Sequence, residues 1–317
     1  MTHDLITVGR VGIDLYPLRS KVPLSDVDTF ARFLGGSATN VAVAAARLGL
    51  RSAVVTRTGD DPFGDFVHTA LRGYGVDDTF VTPVAGAKTP ITFCEIFPPD
   101  TFPIYFYREP KAPDLEIRPE ELDRQAIATA RILWLTGTGL SAEPSRTAHE
   151  EILGIRRDAA GETVLDLDYR PMLWTDRRDA EREVRRALAS GAITVAVGNQ
   201  EECEVATGQR APEAAADALL AHGVRLAIVK LGPAGVLAAT ATGERVVVPP
   251  VAVDVVNGLG AGDAFGGALC LGLVQRWPLE ETLRFANAAG AHVAARLACS
   301  DAMPTTDEVR QMMGETR

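Results

Sequence analysis

The sequence predicts an α/β protein with a mostly parallel sheet, helices on both of its faces, and a small separate β element. Three observations point there. Short apolar runs alternate with amphipathic helical stretches along most of the chain, the pattern of strands joined by crossover helices. The 317 residues suffice for one large α/β domain or two small ones. One stretch, residues 89–108, breaks the alternation with β-rich and aromatic residues around a proline pair.

Taken in order, the strand candidates are Leu5–Val8, Ser52–Thr56, Ile132–Leu135, Thr163–Leu167, Ile193–Val197, Leu226–Lys230, Val236–Ala239 and Arg245–Val248. Between them the 3.6-residue period predicts helices over Thr39–Leu48, Phe63–Tyr74, Pro119–Ala130, Ser145–Ala159, Arg178–Ser190 and Glu213–His222. Two Ala- and Gly-rich helices, Ala261–Arg276 and Leu279–Leu297, follow and read as packed on both sides. In 89–108, two β-rich runs flank Pro98-Pro99-Asp100, which predicts a hairpin. With Asp14–Lys21 it would make a small sheet exposing aromatic residues, suited to a lid, a homodimer contact, or both. The expected organisation is a single domain over 1–317, with the lid formed by about 14–21 and 89–108.

Hydrophobic residues make up 46% and charged residues 23%, ordinary for a soluble globular protein. The formal net charge of −10 argues against a nucleic-acid partner, which requires a basic face to displace counterions. An anionic ligand would have to be met by a few local arginines. Cys94, Cys203, Cys270 and Cys299 form no CxxC pair, so they read as free thiols of a reducing compartment. The start, Met1-Thr2-His3-Asp4, enters a strand with no basic segment or apolar core, and no apolar run approaches a membrane span. A cytoplasmic protein with no membrane partner is expected.

The chemistry concentrates in Asn257-Gly258-Leu259-Gly260-Ala261-Gly262-Asp263-Ala264-Phe265-Gly266-Gly267, between a β-rich stretch and a long helix. Glycines let backbone approach a ligand closely, and a helix start presents free N–H groups and a positive dipole end. Together they make an anion site. Asp263 at such a start would repel phosphate unless it has other work. It reads equally as the helix cap and as a base that accepts the proton of an attacking hydroxyl. The dinucleotide fingerprint G-x-G-x-x-G fails, because Asp263 stands where its third glycine is needed. A Walker A loop is excluded by the absence of any Gly-Lys dipeptide.

At this point the chain resembles the ribokinase (PfkB) family of carbohydrate kinases over essentially its whole length. The first, glycine-rich signature matches Gly35-Gly36-Ser37-Ala38-Thr39-Asn40-Val41-Ala42, and the second, Asp-Thr-x-Gly-Ala-Gly-Asp, matches Asn257–Asp263. Between them stand Asn-x-x-Glu, as Asn199-Gln200-Glu201-Glu202, and Lys-x-Gly-x-x-Gly, as Lys230-Leu231-Gly232-Pro233-Ala234-Gly235. The resemblance implies a ribokinase-like fold and ATP-dependent phosphorylation. It implies that Asp263 is the base, with the amides of Gly260, Ala261 and Gly262 as anion hole. Asn199 and Glu202 would place magnesium and its waters. Lys230, Gly232, Gly235 and Asn287 would lie beside the nucleoside. Asp14, Gly36 and Asn40 would hold sugar hydroxyls. Lys230 also reads simply as a strand end, and Asn287 as a partner of a helix carbonyl. The signature's first Asp, which helps many members bind a monovalent cation, is Asn257 here, so a potassium requirement is left open.

Two arginines bear on the substrate. Arg108 ends Tyr105-Phe106-Tyr107-Arg108, and Arg170 sits in Asp166-Leu167-Asp168-Tyr169-Arg170-Pro171. In the family's keto sugar-acid kinases, matching arginines meet the substrate carboxylate, consistent with the bidentate geometry of a guanidinium. Pairing with nearby acids such as Asp166 or Asp168 is the structural alternative. Local stretches 9–17, 95–100 and 109–114 are similar to the 5-dehydro-2-deoxygluconokinases of myo-inositol catabolism, which implies phosphoryl transfer to the 6-hydroxyl of 5-dehydro-2-deoxygluconate. A 2-keto-3-deoxygluconate kinase and a fructokinase follow. A non-catalytic sugar-acid sensor and a dehydrogenase are the alternatives of other classes.

Overall fold

The computed structural model describes residues 2–314. In chain order the elements are β1 (Leu5–Val8), β2 (Gly12–Pro17), β3 (Phe30–Gly35), α1 (Ser37–Arg47), β4 (Ser52–Gly59), α2 (Pro62–Gly73), β5 (Val81–Val84), β6 (Ile91–Cys94) and β7 (Ile104–Tyr107). There follow α3 (Arg124–Thr129), β8 (Ile132–Thr136), α4 (Ser145–Arg156), β9 (Glu162–Asp166), α5 (Arg177–Leu188), β10 (Val195–Asn199), α6 (Gln200–Thr207), α7 (Pro212–Ala221) and β11 (Leu226–Lys230). The chain closes with β12 (Val236–Thr240), β13 (Arg245–Val248), α8 (Ala261–Gln275), α9 (Leu279–Ala294) and α10 (Thr306–Met312). It divides into two compact units.

The first unit holds the residues up to Gly9 together with Leu115–Pro250. Its strands run in the order β13-β12-β11-β10-β9-β8-β1. The five from β11 to β1 are parallel, and β12 and β13 add antiparallel at one edge. The parallel strands are buried almost along their full length. Strands covered on both faces read as continuous apolar runs, which is why these were legible in the sequence. α6 and α7 pack on β10, β11 and β12.

The second unit holds Arg10–Asp114 together with the residues from Val251 onward. It contains a parallel pair, β4 and β5, and a separate four-stranded sheet in the order β3-β2-β6-β7. β6 and β7 form the expected antiparallel hairpin, and β2 pairs with β6 in parallel. β3, which the sequence reading missed, pairs antiparallel with β2. Of Asp14–Lys21 only the part up to Pro17 is strand, and Lys21 N–H then donates to the Ile96 carbonyl at 2.7 Å. α8 packs against both α9 and α1.

Other differences have local causes. The helix expected over Pro119–Ala130 breaks into a 3-10 turn and α3, because Asp123 accepts from Ala126 N–H and starts a fresh helix. α9 stops at Ala294 rather than Leu297, where the Ala294 carbonyl accepts from the Val256 and Asn257 N–H groups. α6 and α10 were missed, yet both open on capping boxes, Asn199 with Glu202 and Thr305 with Glu308. β5 was hidden by Pro83, tolerated on a strand at the sheet's end. No helix among the described residues is long and apolar enough to cross a membrane.

Candidate active site

The loop after β13 enters α8 through Gly260, whose φ of +80° is the left-handed conformation that glycine adopts at little cost. A Cβ there would also lie 2.7 Å from Cys299 Sγ, so the position excludes a side chain on two grounds. Helix geometry leaves the N–H groups of Ala261, Gly262 and Asp263 without intrahelical acceptors, at the positive end of a 15-residue dipole. Asp263 is not the N-cap of this helix, because the capping position is Gly260.

Helix α1 holds the Asp263 carboxylate. Ser37 Oγ donates to Oδ1 at 2.8 Å, and Asn40 Nδ2 donates to Oδ2 at 2.8 Å. α1 itself begins after Gly36, at φ +101°, where a Cβ would lie 2.4 Å from the Arg10 carbonyl oxygen. The two glycine-rich segments are thus brought together in one unit. A carboxylate oxygen has two lone pairs, so each can accept these bonds and still receive a proton from a hydroxyl.

Strand β2 sets Asp14 and Tyr16 on one face, as the two-residue period requires. Asp14 lies against Gly35, where a Cβ would come 2.2 Å from its carboxyl carbon. Tyr16 Oη donates to Asp14 Oδ2 at 2.8 Å and lies 2.9 Å from Cys299 Sγ. Burial raises the Asp14 carboxyl to about 6; the Tyr16 bond and the Arg10 charge oppose this, and the Asp263 charge adds to it. Tyr16, Cys94, Ile96 and Cys299 form a small core on which Phe102, Leu259 and Leu297 pack. The Phe102 ring, in the hairpin loop, lies 3.0 Å from where a Gly258 Cβ would stand.

In the other unit, Asn199 and Lys230 pair in register at the ends of β10 and β11. Asn199 caps α6 reciprocally with Glu202: Glu202 N–H donates to Asn199 Oδ1 at 2.9 Å, and Asn199 N–H to Glu202 Oε2 at 2.7 Å. Lys230 Nζ lies 4.0 Å from Asp166 Oδ1, and the turn Gly232–Ala234 with Gly235 follows. Asn287 sits partly buried within α9 of the second unit. Among the described residues no three His, Cys, Asp or Glu side chains converge as a direct metal cage.

Both arginines already have acidic partners. Arg170 lies 3.4 Å from Asp168 and 3.6 Å from Glu202, both buried, and donates to the Tyr169 carbonyl. Arg108 Nη2 meets Asp114 at 2.6 Å, with only 8% and 1% of the two side chains exposed. Of the nearby acids Asp166 and Asp168, Asp168 pairs with Arg170, whereas Asp114 and Glu202 are partners that the sequence reading did not include. The sequence reading also gave no role to Ser37, Tyr16, Cys299 or Ser300. Ser37 sits inside the first signature, and Tyr16 is one period from Asp14. Cys299 and Ser300 carry no local signal.

A glycine-framed helix start with a carboxylate steadied beside it, on an α/β fold, defines a phosphotransferase class, and comparison with known proteins agrees. The model of the pfkB family carbohydrate kinases matches residues 2–306. A 5-dehydro-2-deoxygluconokinase from Shouchella clausii is 33% identical over 315 residues, covering 98% of this chain and 96% of that protein. The crystal structure of a fructokinase with bound ATP from Xylella fastidiosa superposes with TM-score 0.86 at 27% identity over 99% of each chain. A putative ribokinase II from E. coli, in complex with ATP and Mg2+, superposes with TM-score 0.89 at 20% identity over 100% of each chain and shares the fold. The chain belongs to the pfkB family of carbohydrate kinases and is an ATP-dependent sugar kinase. The sensor and dehydrogenase alternatives are set aside. Within the family it is similar to the 5-dehydro-2-deoxygluconokinases.

Proposed function

We propose that the enzyme transfers the γ-phosphoryl group of ATP to the 6-hydroxyl of 5-dehydro-2-deoxygluconate, with Asp263 as the base. The observation that carries the mechanism is the Asp263 carboxylate, steadied by Ser37 and Asn40 beside the free amides of the α8 start. The sugar hydroxyl gives its proton to Asp263 as its oxygen bonds the γ-phosphorus, and the bond to the ADP oxygen breaks. The amides of Gly260, Ala261 and Gly262 offset charge on the transferring group. Asp14 accepts from a sugar hydroxyl, and Gly36 leaves its backbone open to the sugar. Asn40 gives one N–H to the base and, with two donors on its amide nitrogen, can hold a sugar hydroxyl with the other.

Asn199, Lys230, Gly232, Gly235 and Asn287 serve the nucleotide. Magnesium favours oxygen ligands and keeps several waters. That fits Glu202, whose buried carboxylate spends Oε2 on the α6 cap and sets Oε1 toward Arg170, so that it would meet the ion through water. Magnesium would supply neutralisation of the phosphate charge. The small sheet acts as lid, and exposed Tyr105 and Tyr107 on its edge strand support a homodimer contact there. The site is read as cytoplasmic, with no nucleic-acid or membrane partner.

Phosphorylation of 2-keto-3-deoxygluconate or of fructose is the second reading. Fructose gains from the acidic partners of Arg108 and Arg170, which leave less positive charge for a substrate carboxylate, whereas 2-keto-3-deoxygluconate, itself an acid, needs the same arginines. A coupled ADP-release assay across sugar acids and neutral sugars decides between them. If Arg170 reads the carboxylate, Arg170→Ala costs roughly 10–150-fold in kcat/KM on the acid, the worth of a charge-assisted hydrogen bond, and far less on a neutral ketose. Equal losses on both would make Arg170 structural and favour fructose.

Asn257 bears on the cation. Its Nδ2 donates to the Leu297 carbonyl at 2.8 Å, and its Oδ1 accepts from Leu259 N–H at 3.1 Å. The first bond ties the anion loop to the segment just after α9, and the second closes a turn within the loop; both are neutral. Turnover is expected to be the same in potassium and in tetramethylammonium chloride. A severalfold activation by potassium alone would refute this.

A further inference from the structure

Ser300 lies in the short turn after α9 and is fully buried. Its Oγ donates to Asn40 Oδ1 at 2.6 Å, while Asn40 Nδ2 donates to Asp263 Oδ2 at 2.8 Å. A side-chain amide can point either way, and its neighbours select the orientation. Here a hydroxyl donor at one end and a carboxylate at the other agree on the same one. Donation onto Oδ1 polarises the amide and strengthens the bond that its NH2 makes to the carboxylate.

The turn that carries Ser300 is itself held. Its neighbour Cys299 sits beneath Gly260, in the space a Cβ would take, and touches the Tyr16 hydroxyl. One two-residue segment therefore braces the anion loop, the base through Asn40, and Asp14 through Tyr16.

We propose that Ser300 is a positioning residue for the phosphoryl-transfer base, acting through Asn40: it locks the amide that orients the Asp263 carboxylate and favours its ionised form. This rests on Asp263 being the base. Ser37 and Asn40 from α1 bond the Asp263 carboxylate, and Asp14 on β2 and the Cys299 thiol beside Ser300 are titratable groups coupled to it.

The test uses the full chain with ATP, magnesium and 5-dehydro-2-deoxygluconate, with fructose as second acceptor. Ser300→Ala is expected to lower kcat by about 10-fold, the scale of a small misplacement of a reacting group, with KM for ATP unchanged. A bond that favours the charged carboxylate lowers its pKa, so losing it moves the acid limb of the kcat profile to higher pH by about half a unit to one unit. In Asn40→Ala and Asp263→Asn backgrounds Ser300→Ala should add little, because residues acting through one another are not additive. Should Ser300→Ala fold poorly, Ser300→Cys, slightly larger and only a weak donor, carries the same readouts. An unmoved acid limb, or an equal loss in all three backgrounds, overturns the inference. Near-normal turnover of Asp263→Asn alone would instead overturn the reading of the base, and this inference with it.

Discussion

Asp263→Asn is expected to lower kcat by roughly 10²–10⁴-fold, the usual worth of a positioned proton acceptor. The substitution is nearly isosteric, and the α8 start should survive it, since the capping position is Gly260 and not Asp263. The remaining oxygen can keep the bond from Asn40, while the new amide nitrogen faces Ser37 Oγ, a hydroxyl that can accept instead of donate. ATP affinity should change little, because the backbone amides that meet phosphate are untouched. Steady-state kinetics together with ATP binding measured by calorimetry separates the two. Turnover within a few fold of wild type would mean that the attacking hydroxyl is deprotonated elsewhere.

Arg108→Ala should act mainly on stability. Arg108 and Asp114 are buried together, 8% and 1% exposed, at 2.6 Å. Nε of the arginine and Oδ1 of the aspartate have no hydrogen-bond partner among the described residues, so this is a tight but incompletely satisfied pair. Removing one partner strands a charge in low dielectric, at a cost of about 3–5 kcal/mol. Urea unfolding should show a lower midpoint with an unchanged slope. Replacing both residues, as Arg108→Met with Asp114→Leu, should recover much of that loss, because no buried charge remains. The stable double variant then tests recognition cleanly. If it keeps its preference for a sugar acid, Arg108 does not read the carboxylate. A stability loss under about 1 kcal/mol for Arg108→Ala would show that Asp114 finds another partner.

Much of the fold was legible for a plain reason. β1, β8, β9, β10 and β11 are covered on both faces, so each reads as a compact apolar run whatever lies next to it. Elements whose pattern mixes exposure and burial, such as β3 with Phe30, Arg32 and Leu34, were lost to the eye. The Asn199–Glu202 motif shows a different failing: read only as a nucleotide signature, it is also the capping box that begins α6.

By itself the sequence determined the fold class, the two glycine-rich segments and the family, because these rest on local periodicity and on residues contiguous in the chain. Only the tertiary structure decided what each polar group does with its charge or its protons. Asp263 is steadied from α1, Asn40 is pinned by Ser300 from the far end of the chain, and the arginines are met by Asp114, Asp168 and Glu202. A buried polar side chain must find a partner, but which one it finds depends on where the chain crosses itself, and no local pattern records that.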